Sequence, residues 1–130
     1  MSKNGISFFG DGAEFSHFGI AVESIDSSLG LNKIADPVQK VFVAFTEIHG
    51  IPVELVEPMN KSSPVSDILK KGGGGYHLCY RVPNLDFACE EARRNGLLLF
   101  SAPVEAVAFS NKKIAWLFHP VYGIFELLEK

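Results

Sequence analysis

The stretch whose reading decides the fold is Gly72–Val82, "GGGGYHLCYRV", in which four glycines lead into a short apolar strand carrying a histidine. A second stretch, Phe15–Val22, "FSHFGIAV", has the same character. Side chains alternate across a strand, so His17, Gly19 and Ala21 share one face while Phe18, Ile20 and Val22 take the other. In the later strand His77, Cys79 and Arg81 oppose Leu78, Tyr80 and Val82. The bulky faces suit packing under helices. The histidine faces carry the small neighbours Gly19, Ala21 and Cys79, a pattern that suits a concave pocket better than a filled core.

Working outward, each histidine strand is followed by an apolar strand with a glutamate inside it. "GIPVELVEP" closes the first half and "GIFELLEK" the second, so that "VELVE" aligns over "FELLE". This order predicts an internal repeat, with one unit over about 15–58 and the other over about 76–129, within a single domain spanning 1–130. Strands are expected at Ser16–Val22, Gln39–Glu47, Val53–Val56, Tyr76–Val82, Leu97–Pro103, Lys113–His119 and Ile124–Leu128. Two helices are punctuated clearly. "SPVSDILKKG" has Ser63 as cap, Pro64 at the first position and Gly72 as stop, and "NLDFACEEARRNG" has Asn84 as cap, Arg93 and Arg94 in the last turn and Gly96 as stop. The segment after the first strand, "ESIDSSLGLNKIADP", has room for only one or two helical turns before Gly30 and Pro37.

With 130 residues, 47% of them hydrophobic and eleven of them Phe, the chain can bury a core. A net charge of -3 argues against a nucleic-acid partner, because there is no basic footprint. Cys79 and Cys89 fall on different elements and form no CxxC motif or disulfide framework. Met1–Phe15 lacks the apolar run of a signal peptide and no stretch has transmembrane length, so a cytoplasmic protein with no membrane partner is expected.

The strand-interior carboxylates Glu54 and Glu126 are flanked by Val53 and Leu55, and by Phe125 and Leu127. A carboxylate there is expensive to desolvate unless a cation or donors compensate it. His17, Glu54, His77 and Glu126 occupy matching places in the two halves and suit one divalent ion: imidazole and carboxylate together accept Zn, Ni, Co, Fe or Mn. A lone strand histidine is more often structural or solvated, and a strand glutamate usually faces solvent, as expected for Glu57 and Glu129. Spacing leaves both readings open.

The chain resembles the vicinal-oxygen-chelate superfamily, which includes the glyoxalases, bleomycin-resistance proteins and dioxygenases. Within it the chain is most similar to methylmalonyl-CoA epimerase-like proteins. The matching pieces run in order from Phe15 to Glu129: "SHFGIAV", "VELVEP", "SPVSDILKKGGGGYHLCYRV", "NLDFACEEARRNG" and "IAWLFHPVYGIFELLE". The resemblance implies an α+β glyoxalase fold of two βαβββ-type repeats, curved around a metal-binding cup. It implies metal ligation by His17, Glu54, His77 and Glu126, with the glycines bringing the chain to the pocket rim. It also implies removal of an α-proton by Glu126, with Glu54 second, through a metal-stabilised enolate. The implied activity is an epimerase or isomerase of an acyl-CoA or other thioester, in a C2 homodimer. A glyoxalase I-type lactoylglutathione lyase and a non-catalytic small-molecule-binding protein are the alternatives.

The chain departs from the family pattern at several places. Tyr76 stands where relatives often carry the first of two histidines, and the first crossover is short. Lys40 or a neighbour lies where some epimerases have a second carboxylate, and the first fifteen residues match no family element. That N-terminal segment, with Phe8, Phe9 and Phe15, is expected to pack against a sheet or helix. Leu29, Leu31 and Ile34 are expected to be exposed near a sheet edge. His119 is read as structural or as lining a substrate mouth, His49 as a solvated turn residue, and Trp116 and Phe118 as core or pocket wall. Arg81 either meets an anionic group of a substrate or pairs with a surface carboxylate.

Overall fold

The computed structural model describes residues 5–130. The first four residues of the Met1–Phe15 segment lie outside the described residues. Eight strands form one mixed sheet: β1 (Glu14–Ala21), β2 (Ile34–Asp36), β3 (Val41–Ile48), β4 (Ile51–Pro58), β5 (Gly74–Val82), β6 (Leu98–Ala106), β7 (Lys112–His119) and β8 (Gly123–Glu129). Their order across the sheet is β2-β3-β4-β1-β5-β8-β7-β6. The two histidine strands β1 and β5 lie side by side at the centre and run antiparallel, each flanked on its outer side by a parallel glutamate strand. The sheet curls into a half-barrel, the α+β glyoxalase architecture.

The helices begin and end where their caps dictate. In α1 (Pro64–Lys70) the Ser63 hydroxyl accepts from the Val65 amide at 3.3 Å. In α2 (Leu85–Arg94) the Asn84 side chain accepts from the Phe87 amide at 3.0 Å. Leu85, Ala88, Cys89 and Ala92 form the buried stripe of α2 and pack on Val82, Leu117, Phe125 and Leu127. This main core occupies the convex side of the sheet, opposite the histidines. Val65 of α1 instead packs with Ala21, Val43 and Val56 at one end of the concave side. No helix among the described residues is long and apolar enough to cross a membrane.

The first half departs from the expected βαβββ order. A 3-10 turn, Ser27–Leu29, replaces its helix, capped by Asp26 and ended by Gly30 at φ 67°. The sequence predicts two further strands in this half, and the structure has three, because β2 pairs Ile34 with Val43 and Asp36 with Val41. Three residues hold no periodicity to read; β2 exists only because β3 offers it hydrogen bonds. Of the apolar residues expected near this edge, Leu29 is exposed, whereas Leu31 and Ile34 are half-buried. Gly72, Gly73 and Gly74 all have positive φ and reverse the chain between α1 and β5, and Gly74 and Gly75 already belong to the strand. His49 and Gly50, at φ 46° and 85°, form the tight β3–β4 turn, and His49 is exposed there.

The N-terminal segment packs on its own chain. Phe9 is 6% exposed, with its ring 5.6 Å from those of Tyr80 and Phe125. Phe8 stacks on His119 at 5.3 Å, and the His119 Nδ1 accepts from the Val121 amide, so His119 is a structural residue. Phe118, in contrast, is exposed rather than part of the core. Phe9→Ala is expected to destabilise the fold by about 3 kcal/mol, as other large-to-small aromatic truncations do. Urea unfolding checks this; a loss below about 1 kcal/mol would show that the segment adds no core.

Candidate metal centre

Strand register explains how four distant residues meet. On the concave face one cross-strand row runs Glu54–Gly19–His77, because Gly19 pairs with Glu54 on β4 and with His77 on β5. The next row runs His17–Cys79–Glu126, because Cys79 pairs with His17 on β1 and with Glu126 on β8. Gly19 and Cys79 are the small residues at the centre of the two rows. A Cβ on Gly19 would lie 1.9 Å from His77 Cε1, so the imidazole occupies space that only glycine leaves.

The four donors His17, Glu54, His77 and Glu126 lie within 4.8 Å of one another, and all four residues are buried. His17 Nε2 is 3.4 Å from Glu54 Oε1 and 3.3 Å from Glu126 Oε1. His77 Nε2 is 3.5 Å and 3.3 Å from the same two oxygens. None of these contacts has hydrogen-bond geometry: His17 Nε2, His77 Nε2 and Glu126 Oε1 are sealed from solvent without a partner. Unpaired polar atoms at such depth are costly.

A divalent ion takes imidazole nitrogens and carboxylate oxygens at about 2.0–2.2 Å. The four imidazole–carboxylate spacings of 3.3–3.5 Å leave room for one ion among the donors. Two neutral imidazoles and two carboxylates carry two negative charges, which a divalent ion balances. His17 Nδ1 lies 2.9 Å from Ser16 Oγ. In the tautomer where Nδ1–H donates to that hydroxyl, the Nε2 lone pair faces the carboxylates. The residues present therefore fit a divalent ion.

The electrostatics of the cluster point the same way. Burial pushes the His17 imidazole down, but Glu126 and Glu54 outweigh it and hold it at about 9. Burial opposes and the same carboxylates raise His77 as well. Burial alone would raise Glu126, yet His17 and His77 hold its carboxyl well below the usual range. The cluster calls for positive charge. Burial, then Glu126, pushes the Cys79 thiol up, so Cys79 is a neutral filler rather than a thiolate ligand.

A cavity of about 480 Å³ opens onto Glu54 and Glu126, with Tyr76, Trp116 and Phe100 in its walls and Lys40 exposed at its edge. A second depression of about 340 Å³ reaches His17 from the other side, beside Arg81 and Phe109. The Trp116 indole donates to Gln39 Oε1 at 3.0 Å, and its ring meets His77 edge-on at 4.8 Å. Gln39 in turn donates from its own amide to buried Asp36 at 2.8 Å. This chain of contacts, from a turn to a ligand-facing ring, has no signature in sequence. Arg81 is exposed and lies opposite Glu14 in the β1–β5 register, at the edge of the second depression rather than in the larger cavity.

The model of the Glyoxalase/Bleomycin resistance protein/Dioxygenase superfamily matches residues 13–116. The chain belongs to that superfamily. Among solved structures, that of a hypothetical protein from Bacillus halodurans C-125 is similar, with 30% identity and a TM-score of 0.73, covering 92% of this chain and 96% of that one. Methylmalonyl-CoA epimerase from Mycobacterium tuberculosis is 26% identical with a TM-score of 0.71, covering 89% of this chain and 87% of that one. The mitochondrial methylmalonyl-CoA epimerase of Bos taurus is 26% identical over 117 residues, which are 81% of this chain. The chain spans just under two thirds, 66%, of that relative's length.

Proposed function

We propose that this superfamily member is a divalent-metal-dependent epimerase or isomerase that moves the α-proton of a 2-substituted acyl thioester. The observation that carries the reading is the buried cluster of His17, Glu54, His77 and Glu126, whose two carboxylates line a cavity of small-molecule size. The likeness to methylmalonyl-CoA epimerases supports a thioester substrate.

In this reading His17, Glu54, His77 and Glu126 hold the ion. Bound there, the ion would supply Lewis acidity that stabilises negative charge on the substrate's oxygen. Glu126 takes the α-proton, since its carboxylate belongs to the cluster and also lines the cavity. Glu54, on the opposite flank of the cluster, is the second carboxylate within reach. Val43, Val56 and Trp116 provide the apolar wall that excludes water from the reacting carbon.

Saturating Zn, Ni, Co or Mn at about 100 times Kd is expected to add about 2.7 kcal/mol. For a chain of 130 residues this raises Tm by about 10 °C. Excess chelator should reverse the rise, and His17→Ala or His77→Ala should abolish it along with stoichiometric metal by elemental analysis. Unchanged metal content in both variants would remove the site from this reading. Metal and thioester binding without α-proton exchange would favour a binding protein, and turnover of a glutathione hemithioacetal a lyase.

A further inference from the structure

We propose that Tyr76 is a further catalytic residue, whose phenol donates a hydrogen bond to the substrate carbonyl oxygen as that oxygen becomes negative. The inference rests on the reading of the site as an α-proton transfer centre.

On strict alternation Tyr76 would face away from His77. The register contradicts this. Gly19 pairs with His77 and the next residue, Ile20, pairs with Gly75, so Tyr76 is the extra residue of a β-bulge without a partner on β1. The bulge turns Tyr76 to the side of His77, and the two rings lie 4.5 Å apart, edge to face. Tyr76 thereby lines the cavity that also exposes Glu54 and Glu126. Its ring packs against the cluster of Ala21, Val43, Val56 and Val65, which holds it in place.

Among the described residues no hydrogen bond reaches the Tyr76 hydroxyl. The hydroxyl is not among the sealed, unpartnered atoms, so it is open to a molecule bound in the cavity that Tyr76 lines. Beside two carboxylates the group that completes the site is a donor, and a phenol keeps its proton at neutral pH. The step balances without consuming that proton. The α-C–H bond breaks, Glu126 receives the proton, the electron pair moves onto the carbonyl oxygen, and the phenol O–H donates to that oxygen while remaining intact. Reprotonation of the enolate, on the same face by Glu126 or on the opposite face by Glu54, restores the C–H bond and the carbonyl, with inversion in the second case. The donor serves the enolate more than the ground-state thioester, so it acts on kcat rather than on KM.

The test compares wild type with Tyr76→Phe, which keeps the ring and removes only the hydroxyl. Both are loaded with one metal, and metal content and melting temperature are measured first. Deuterium uptake from D₂O into the α-carbon of methylmalonyl-CoA should fall about 10- to 100-fold in kcat with KM changed less than about threefold. By calorimetry, affinity for the nitronate of 2-nitropropionyl-CoA, a planar enolate mimic, should drop by about the same factor. Affinity for 2,2-dimethylmalonyl-CoA, which has no α-proton, should change less than about threefold. Tyr76→His, which restores an N–H, should recover part of the rate. Wild-type exchange and nitronate affinity in Tyr76→Phe would overturn the assignment. So would equal losses for both analogues, or loss of the metal, since either marks a structural role. A wild-type protein that neither exchanges deuterium nor binds either analogue would overturn the functional reading itself, and Tyr76 with it.

Discussion

Gly19→Ala is expected to abolish tight metal binding and to lower stability by about 3 kcal/mol. The added methyl would sit 1.9 Å from His77 Cε1, 2.1 Å from Nδ1 and 2.5 Å from Nε2. The imidazole has no room to retreat, because Tyr76 lies against it at 4.5 Å and Trp116 at 4.8 Å between ring centroids. Gly19 has no left-handed φ, so space rather than backbone conformation demands glycine here. Gly75→Ala is the matched control. Its methyl would meet the Phe18 ring at 2.2 Å, on the opposite face of the sheet. It should destabilise comparably while metal affinity stays within about tenfold of wild type. Metal titration and urea unfolding of both variants decide the matter, and wild-type metal affinity in Gly19→Ala would show that His77 does not stand where the register puts it.

The second large effect is expected for Glu126→Gln, which should slow α-deuterium exchange by about 10³-fold, within the range of a lost general base. The amide keeps the size of the carboxylate and cannot accept the proton. Lys40→Ala removes an exposed cation from the edge of the cavity and should cost less than about tenfold, mostly in KM. Single-turnover exchange in D₂O separates these outcomes. An equal loss in the two variants, or a larger loss in Glu54→Gln than in Glu126→Gln, would take the proton from Glu126.

Much of this was legible before folding. The two helices carry their punctuation in the chain: Ser63 and Asn84 accept from the amides that a cap must satisfy, and Gly72 and Gly96 have the positive φ that ends them. The central strands were legible because a half-buried strand writes its two faces into alternate residues. The candidate donors were legible because His17, Glu54, His77 and Glu126 are polar residues on faces otherwise small or apolar, and burial of such groups asks for a compensating charge. The structure brings those four together.

What stayed hidden is whatever depends on pairing rather than pattern. The strand β2 is three residues long and is defined by its hydrogen bonds to β3. The Trp116–Gln39–Asp36 contacts join a strand to a turn 77 residues away, a distance across which no local signal operates. Tyr76 is the sharpest case. Alternation is a property of a single strand and sends Tyr76 away from the metal centre, whereas a bulge is a property of two strands and brings it in. The sequence by itself determined which residues are small, apolar or ligating, because burial and capping act on each residue's own chemistry. Only the tertiary structure decided which of them share a cavity, because register is set by two chain segments at once, and a slip of one residue moves a side chain to the other face.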